Sequence, residues 1–323
     1  MNVFGNDFDA YRFADGRCRS RMNKPDISVI ILTYNEEIHI RRCLENIREL
    51  AKDIFIIDSY STDRTLEIAQ EYGAVILQNK WENNHAKQLN WALVHAPVRT
   101  DWILRLDADE YLLPELIDEL LEKVSFLPAD VSGIVFKRRH YFLGKWMKRG
   151  IYPVHLLRMF RYGKAVCEQR LMDEHIQLLE GRIVNFVHDF VDHNLNNLSW
   201  FCNKHVNYAV REAAELLDTE LNLWHELQPG EEKQLVAQAM HKRKIKDRYV
   251  RIPLFWRAFL YFCYRYFIKG GWLDGKEGFL WHFLQGWWYR TLVDAKVFEI
   301  KQACGTNREM IRKYLEETYN CRY

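Results

Sequence analysis

The chain has 323 residues, of which 48% are hydrophobic and 28% charged, so a mostly disordered protein is excluded. Its length exceeds what one core usually serves, and one large domain with a sizeable extension is expected. Forty-six basic against 44 acidic residues leave a formal charge of +2, which argues against a generic nucleic-acid binder.

The balance is uneven. Residues 241–301 hold 13 Lys/Arg against 5 Asp/Glu, and 17 of the 46 aromatic residues fall between Tyr249 and Phe298. Seven cysteines (Cys18, Cys43, Cys167, Cys202, Cys263, Cys304 and Cys321) are scattered without a C-x-x-C pair. That pattern suggests neither a disulfide framework nor a zinc site and fits a reducing cytosol. Residues 1–25 are polar and aperiodic and read as a tail without the apolar segment of a secretory signal. The longest apolar run, Leu254–Ile268, is interrupted by Arg257 and Arg265. It falls short of the roughly 20 apolar residues that a membrane crossing needs.

From Pro25 the chain alternates strand and helix. Ile27–Leu32 is a β-branched run suited to a strand buried on both faces. A helix is expected over Glu36–Leu50, with Ile40, Leu44 and Ile47 on one stripe. Ile54–Ile57 is the next strand, and Ser61-Thr62-Asp63 offers helix-start chemistry before Leu66 and Ile68. Ala74–Leu77, Asn84–Ala96 and Trp102–Leu106 continue as strand, helix and strand. Pro114–Val124 reads as a helix, Gly133–Phe142 and Leu156–Arg161 as strands. A soft boundary lies near residue 195, giving a domain over 26–195 and a helical region over 196–323. Helices are expected near 197–217, 229–248, 253–269 and 276–300, with Gly270–Gly275 as a turn. Such alternation implies a parallel sheet with helices on both faces. Ligands of such sheets bind beyond the carboxyl ends of the strands.

The polar clusters fall at those ends: Thr33-Tyr34-Asn35-Glu36, Asp58-Ser59, and Asp107-Ala108-Asp109. A bare Asp-x-Asp occurs by chance about once in a chain of this length, so its position carries the information. Strand periodicity puts Arg105, Asp107 and Asp109 on one side of the strand end. Converging carboxylates there suit a hard divalent ion that completes its shell with phosphate and water; a solvated turn or a helix cap is the plainer alternative. Asn35 reads as a helix cap, compatible with a nucleotide site, and Asp63 as another. Asp58 suits acceptance of hydrogen bonds from a base or ribose. Neither G-x-G-x-x-G nor G-x-x-x-x-G-K-[ST] is present, which disfavours a dinucleotide-binding dehydrogenase or a P-loop NTPase.

Four segments in order, S-V-I-I-L-T-Y-N-E-E, I-I-D-S-Y-S-T-D, A-K-Q-L-N-W-A-L and L-R-L-D-A-D-E, resemble family 2 glycosyltransferases of the GT-A fold. The resemblance covers about residues 26–300 and is nearest to bacterial lipopolysaccharide-core, capsule and colanic-acid-type enzymes. Tyr60 departs from it, because many relatives carry Gly there. The resemblance implies a mostly parallel α/β sheet plus a helical, aromatic-rich C-terminal extension. It implies that Thr33, Asn35 and Asp58 line a nucleoside pocket, with Lys87 near the base or diphosphate. It also implies that Asp107 and Asp109 hold Mg²⁺ or Mn²⁺ with the diphosphate, Asp109 more directly and Asp107 nearer the ribose. A C-terminal His completing the metal shell aligns best with His193, with His188 as the alternative.

Deprotonating an acceptor hydroxyl needs a carboxylate or His within reach. Leu171-Met172-Asp173-Glu174-His175 supplies both; Glu174 is the expected base, with Asp173 close behind, and a polar turn is the plainer reading. Lys137-Arg138-Arg139 and Lys145–Arg149 read equally as an anion contact or as a solvated strand edge. The aromatic, basic region beyond residue 253 reads either as buried helices or as an interfacial element meeting anionic headgroups.

Together these readings predict an inverting hexosyltransferase that uses a nucleotide sugar, UDP-linked, and a lipid-linked glycan acceptor. It is expected on the cytoplasmic face of the bacterial inner membrane. A sugar-phosphate nucleotidyltransferase is the rival enzyme, disfavoured by the lack of a Gly-rich loop after the first strand. A non-catalytic membrane scaffold is the rival of a different class.

Overall fold

The computed structural model describes residues 24–168, 174–224 and 252–321. The expected helix over 229–248 and most of the N-terminal tail lie outside these residues. The β-branched runs become the parallel strands β1 (Ile27–Thr33), β2 (Asp53–Asp58), β3 (Val75–Gln78) and β4 (Trp102–Asp107). Between them lie α1 (Ile40–Ile47), α2 (Thr65–Glu71) and α3 (His85–His95).

Helix α1 starts four residues later than expected. The amides of Asn35, Glu36 and Glu37 donate instead to Ser61 Oγ, Thr65 Oγ1 and Asp63 Oδ2 at 2.8, 2.7 and 3.0 Å. Those bonds tie the β1–α1 loop to the β2–α2 loop and satisfy donors that a helix start would otherwise leave open. Helix α3 keeps the expected start: Asn84 Oδ1 accepts from the Lys87 amide at 2.9 Å.

Next come β5 (Glu110–Leu112), α4 (Pro114–Lys123), β6 (Val131–Phe142), β7 (Lys145–Trp146) and β8 (Val154–Arg161). β9 (Ala165–Cys167), β10 (Ile176–Leu178) and β11 (Arg182–His193) complete the strands. The nine-stranded sheet runs β3-β2-β1-β4-β8-β6-β11-β5, with β7 paired to β6, while β9 and β10 form a separate ribbon. β8 joins antiparallel to β4, and β11 runs parallel to β6, so the sheet is parallel over its first four strands and mixed beyond. Register pairs Thr33 with Asp58 and Leu32 with Asp107, which brings the carboxyl ends of β1, β2 and β4 to one edge. This is the fold class implied by the GT-A resemblance.

The sheet is covered on both sides. Ile40, Leu44, Ile68, Leu116 and Leu120 of α1, α2 and α4 join one core, and Ala86, Leu89 and Ala92 of α3 join another with β9 and β10. Fully burying each such Ile or Leu contributes about 1.5–3 kcal/mol relative to exposure.

The chain then turns helical with α5 (Leu198–Leu221). Helix α6 (Trp256–Cys263) continues through a π-helical stretch, Tyr264–Ile268, to a 3₁₀ turn, Gly271–Asp274. Helix α7 (Gly275–Trp281) continues through a second π-helical stretch, His282–Trp288, into α8 (Tyr289–Cys304), and α9 (Arg308–Tyr319) follows. Gly271 has a packing reason, since a Cβ there would fall on the buried His282 ring. Helices α5, α8 and α9 share a third core built on Ala213, Leu217, Val293, Val297 and Ile311. Tyr289 and Arg290 of α8 also bond the carboxylate of Glu212 on α5.

Candidate active site

The strand ends open into a cleft of about 1140 Å³, with the sheet edge on one side and α5 with the start of α8 on the other. Asp107 closes β4, and Ala108-Asp109 forms the tight turn into β5. Two devices hold that turn. Arg105 Nη2 donates to Asp107 Oδ1 at 2.6 Å, and the Asp107 amide donates to Glu110 Oε2 at 2.9 Å. Buried Arg158 of β8 bonds Glu110 and approaches Asp107 Oδ2 at 3.4 Å. On the far side, Arg42 Nη2 and the His193 amide donate to the Asp109 carbonyl at 3.0 and 3.1 Å. The Asp109 side chain is held by Asn194 Nδ2, 2.9 Å from Oδ2.

Burial pushes the Asp107 carboxyl up, and the nearby Asp109 and Asp192 add to the rise that Arg105 opposes. Asp192 behaves the other way. Burial works against its charge, but His140 and Arg138 overcome it and hold the carboxyl below the ordinary range. Arg138 Nη1 and His140 Nδ1 lie 3.3 and 3.1 Å from Asp192 Oδ2.

The expected site residues divide into those at the cleft and those behind it. Thr33, Asp107, Asp109 and Glu174 line it. Glu174 lies just before β10, close enough to Arg105 to interact with its charge; Asp173 lies outside the described residues. Asp58 is fully buried, and its carboxylate accepts from Thr33 Oγ1 at 3.0 Å, the Ser61 amide at 2.8 Å and the Ser61 hydroxyl. It therefore braces the wall from behind, where the sequence suggested a direct nucleoside contact. Asn35 likewise bridges loops, accepting from the Thr62 amide at 2.8 Å. Lys87 pairs with Glu82 at 3.3 Å, and its neighbours His85, Gln88 and Leu89 are the α3 residues facing the cleft.

Tyr60 adopts a backbone geometry that favours glycine. Its φ of 62° lies in the left-handed region, and its exposed side chain lines the cleft.

His193 stands beside Asp109, with its Nδ1 3.3 Å from Arg42 Nη1. Burial and Arg42 lower the imidazole to about 4, so it is neutral at pH 7. His188 is exposed earlier in β11, where its amide donates to Glu119 of α4 at 3.2 Å, outside the cleft.

The basic run on β6 also resolves. Lys137 and Arg139 pair with Asp189 at 3.3 and 2.6 Å, while Arg138 alone of the three lines the cleft.

Several cleft residues escape sequence reasoning. Asp192 follows an alternating run that reads as a strand only once β11 is seen beside β6. Lys204 and Arg211 come from α5, which carries no sequence motif. Burial opposes the charge on Lys204, but Tyr208, Asp109, Glu36 and Asp192 raise its pKa. His85 is driven down to about 3 by burial and by the cations Arg105, Arg211 and Lys204.

The donor set suits a hard divalent ion. Both Asp107 oxygens already face guanidinium groups, so Asp109 is the better-placed ligand. Among the described residues no three His, Cys, Asp or Glu side chains converge into a ready-made metal cluster. An ion at this turn would draw the rest of its shell from diphosphate and water.

Comparison with known proteins finds similarity over part of the chain. Residues 28–179 match the family model described as Glycosyl transferase family 2. A segment of 94 residues is 37% identical to an uncharacterized glycosyltransferase of Rickettsia bellii, covering 29% of this chain and 31% of that protein. The glycosyltransferase SunS of Bacillus subtilis is 33% identical over 91 residues, 28% of this chain and 21% of SunS. The match thus spans a third or less of these curated relatives. Among solved structures, a mannosyltransferase of Pyrobaculum calidifontis in complex with GDP-Man and Mn²⁺ superposes with a TM-score of 0.47 at 15% identity, covering 85% of this chain and 87% of that one. Glucosyl-3-phosphoglycerate synthase of Mycobacterium tuberculosis, with Mn²⁺ and UDP, gives a TM-score of 0.30 at 20% identity over 37% of this chain and 45% of that one. Residues 28–179 of this chain are a glycosyl transferase family 2 domain.

Proposed function

We propose that the protein transfers a hexose from a nucleotide sugar, UDP-linked, to a sugar on a lipid-linked glycan, with inversion at the anomeric carbon. The observation that carries this reading is the Asp107–Asp109 turn, fixed from both sides and opening into a cleft beyond the carboxyl ends of parallel strands. The donor's nucleoside end would lie along Thr33, Tyr34 and Tyr60, and its diphosphate near Asp109.

In the proposed reaction the acceptor oxygen bonds to the anomeric carbon as the bond from that carbon to the phosphate oxygen breaks. Glu174, with Asp173 as its rival, takes the acceptor's proton. The electron pair leaves with the nucleoside diphosphate. Asp109, with Asp107 and His193 at hand, would hold Mg²⁺ or Mn²⁺, which would supply Lewis-acid stabilisation of that charge.

The acceptor's lipid nature is supported by one face of the C-terminal helices. Trp256, Leu260, Tyr264, Phe267 and Ile268 are exposed along α6 and its π-helical continuation, beside exposed Trp272 and Leu273. Exposed Lys269 adjoins that face, its Nζ 5.6 Å from the Tyr264 ring, and Lys276 is exposed seven residues on. Aromatic bodies bordered by lysines suit peripheral binding to an anionic leaflet, here the cytoplasmic face of a bacterial inner membrane. No helix among the described residues is long and apolar enough to cross a membrane.

The test is nucleotide release from UDP- and GDP-sugars with Mn²⁺, with and without lipid extract, followed by mass measurement of the product. Release that lipid extract stimulates supports the reading. No release from any donor, together with no nucleotide binding, supports the non-catalytic scaffold.

A further inference from the structure

We propose that Lys204, assisted by Arg211, forms a phosphate contact that grips the diphosphate of the donor from the α5 wall of the cleft. The proposal rests on the nucleotide-sugar reading of the site and adds a charged element that none of the strand-end motifs supplies.

Lys204, Tyr208 and Arg211 lie four and then three positions apart, so they share one face of α5, and all three line the cleft. The Tyr208 ring sits between the two cations, 5.6 Å from Lys204 Nζ and 4.7 Å from the Arg211 guanidinium carbon. Lys204 Nζ also lies 4.6 Å from the Trp200 ring, so aromatic faces fix its position. Arg211 Nη1 donates to the Asn83 carbonyl at 3.3 Å, which brings the α5 wall against the loop leading into α3.

The charge pattern is what calls for an anion. The cleft's other arginines are matched: Arg105 to Asp107, Arg138 to Asp192, Arg158 to Glu110 and Arg290 to Glu212. Among the described residues, Lys204 has no carboxylate within 4.0 Å and no hydrogen-bond partner for Nζ. Asp109, Glu36 and Asp192 surround it at longer range and favour its charged form. An ammonium half-sequestered in a cleft, steered by aromatic rings and short of a direct counter-ion, is built to receive one. Phosphoryl oxygens held near Asp109 would meet that need, sharing the leaving charge with the α5 wall.

Isothermal titration of the full-length protein tests this with UDP and with uridine, each with Mn²⁺ and in EDTA. For Lys204→Ala, UDP affinity should fall about ten- to a hundredfold, the loss of one charge-assisted hydrogen bond. Uridine affinity should stay unchanged, and Lys204→Arg should retain most of the UDP affinity. Arg211→Ala should show a smaller loss of the same pattern. Melting curves confirm that each variant is folded.

If folded Lys204→Ala binds UDP as the parent does, or loses UDP and uridine equally, the phosphate contact is refuted. If it binds UDP normally but loses affinity for a short-chain polyprenyl monophosphate, the contact serves the acceptor and the donor assignment is overturned. If the parent protein binds neither UDP nor GDP, the nucleotide-sugar reading itself has failed, a result distinct from the other two.

Discussion

Asp109→Ala separates chemistry from architecture, because the structure holds the Asp109 backbone without help from its carboxylate. The Asp109 carbonyl accepts from Arg42 and from the His193 amide, and both bonds survive truncation of the side chain. The carboxylate itself accepts a side-chain bond from Asn194 at 2.9 Å, at a cleft that water reaches. Losing one such bond costs about 0.5–1.5 kcal/mol, a fall of at most about 2–4 °C in melting temperature per kcal/mol for a chain of this size. Turnover should suffer far more. Removing one preorganised group that stabilises developing charge costs about 10²–10³ in rate, or roughly 2.7–4 kcal/mol. The assay is release of nucleoside diphosphate at saturating Mn²⁺, alongside a thermal melt. Asp107→Ala is the contrast. It strips the counter-ion from mostly buried Arg105, while Arg158 keeps Glu110, and should destabilise more than Asp109→Ala as well as inactivate. A folded Asp109→Ala protein that turns over within threefold of the parent, or activity that survives EDTA, would refute the assignment of this turn.

Three further outcomes are expected. Glu174→Gln should lower turnover by about 10²–10⁴ while UDP affinity holds; unchanged turnover would pass the base role to Asp173. Tyr60→Gly should leave the melting point level or slightly raised, since the ~1–2 kcal/mol cost of a left-handed non-glycine residue offsets glycine's entropy. Tyr60→Val should lower it, and a drop for glycine would show that the ring's packing governs the turn instead. His282 is fully buried, and burial, reinforced by Arg265, lowers its imidazole from 6.5 to about 4. Its contribution is complete above pH 6.5, where both states are neutral, and is lost as the unfolded chain takes up a proton below that. Denaturant titrations should therefore show stability falling from pH 6.5 toward 4 by at most about 1.4 kcal/mol per pH unit from this group. Unaltered pH dependence in folded His282→Gln would exclude it as a source.

The parallel half of the sheet was legible because its strands are unbroken β-branched runs and their polar residues fall at the ends. Ile27–Thr33, Asp53–Asp58 and Trp102–Asp107 each differ from the expected strand by only a residue or so. The start of α1 was not legible, since amides of Asn35, Glu36 and Glu37 are claimed by side chains some 26 to 29 residues away. β5, three residues long, gives too short a pattern to read. Strand β11 was missed for another reason. Its dense charged pattern obscures the strand alternation, and only pairing with β6 reveals Asp189 and Asp192 as partners of Lys137, Arg138 and Arg139. The motif residues Asp107 and Asp109 do reach the cleft, whereas buried Asp58 and exposed Asn35 act through hydrogen bonds that tie the flanking loops. Lys204 and Arg211 could not be anticipated, because a helix contributes to a site through its tertiary placement.

In the proposed reaction, the placement of α5 bears on how an activated sugar would be kept from water. Its carboxylate Glu212 is clasped by Tyr289 and Arg290, residues at the head of α8, which continues directly from the π-helical stretch behind the exposed aromatic face. A fragment trimmed after β11 would retain the strand-end motifs yet lose one bank of the channel. Such a fragment would expose the anomeric carbon to bulk solvent and favour wasteful hydrolysis over transfer. On the proposed reading of the aromatic face as a membrane surface, the same continuity would couple landing on lipid to the firmness of that bank.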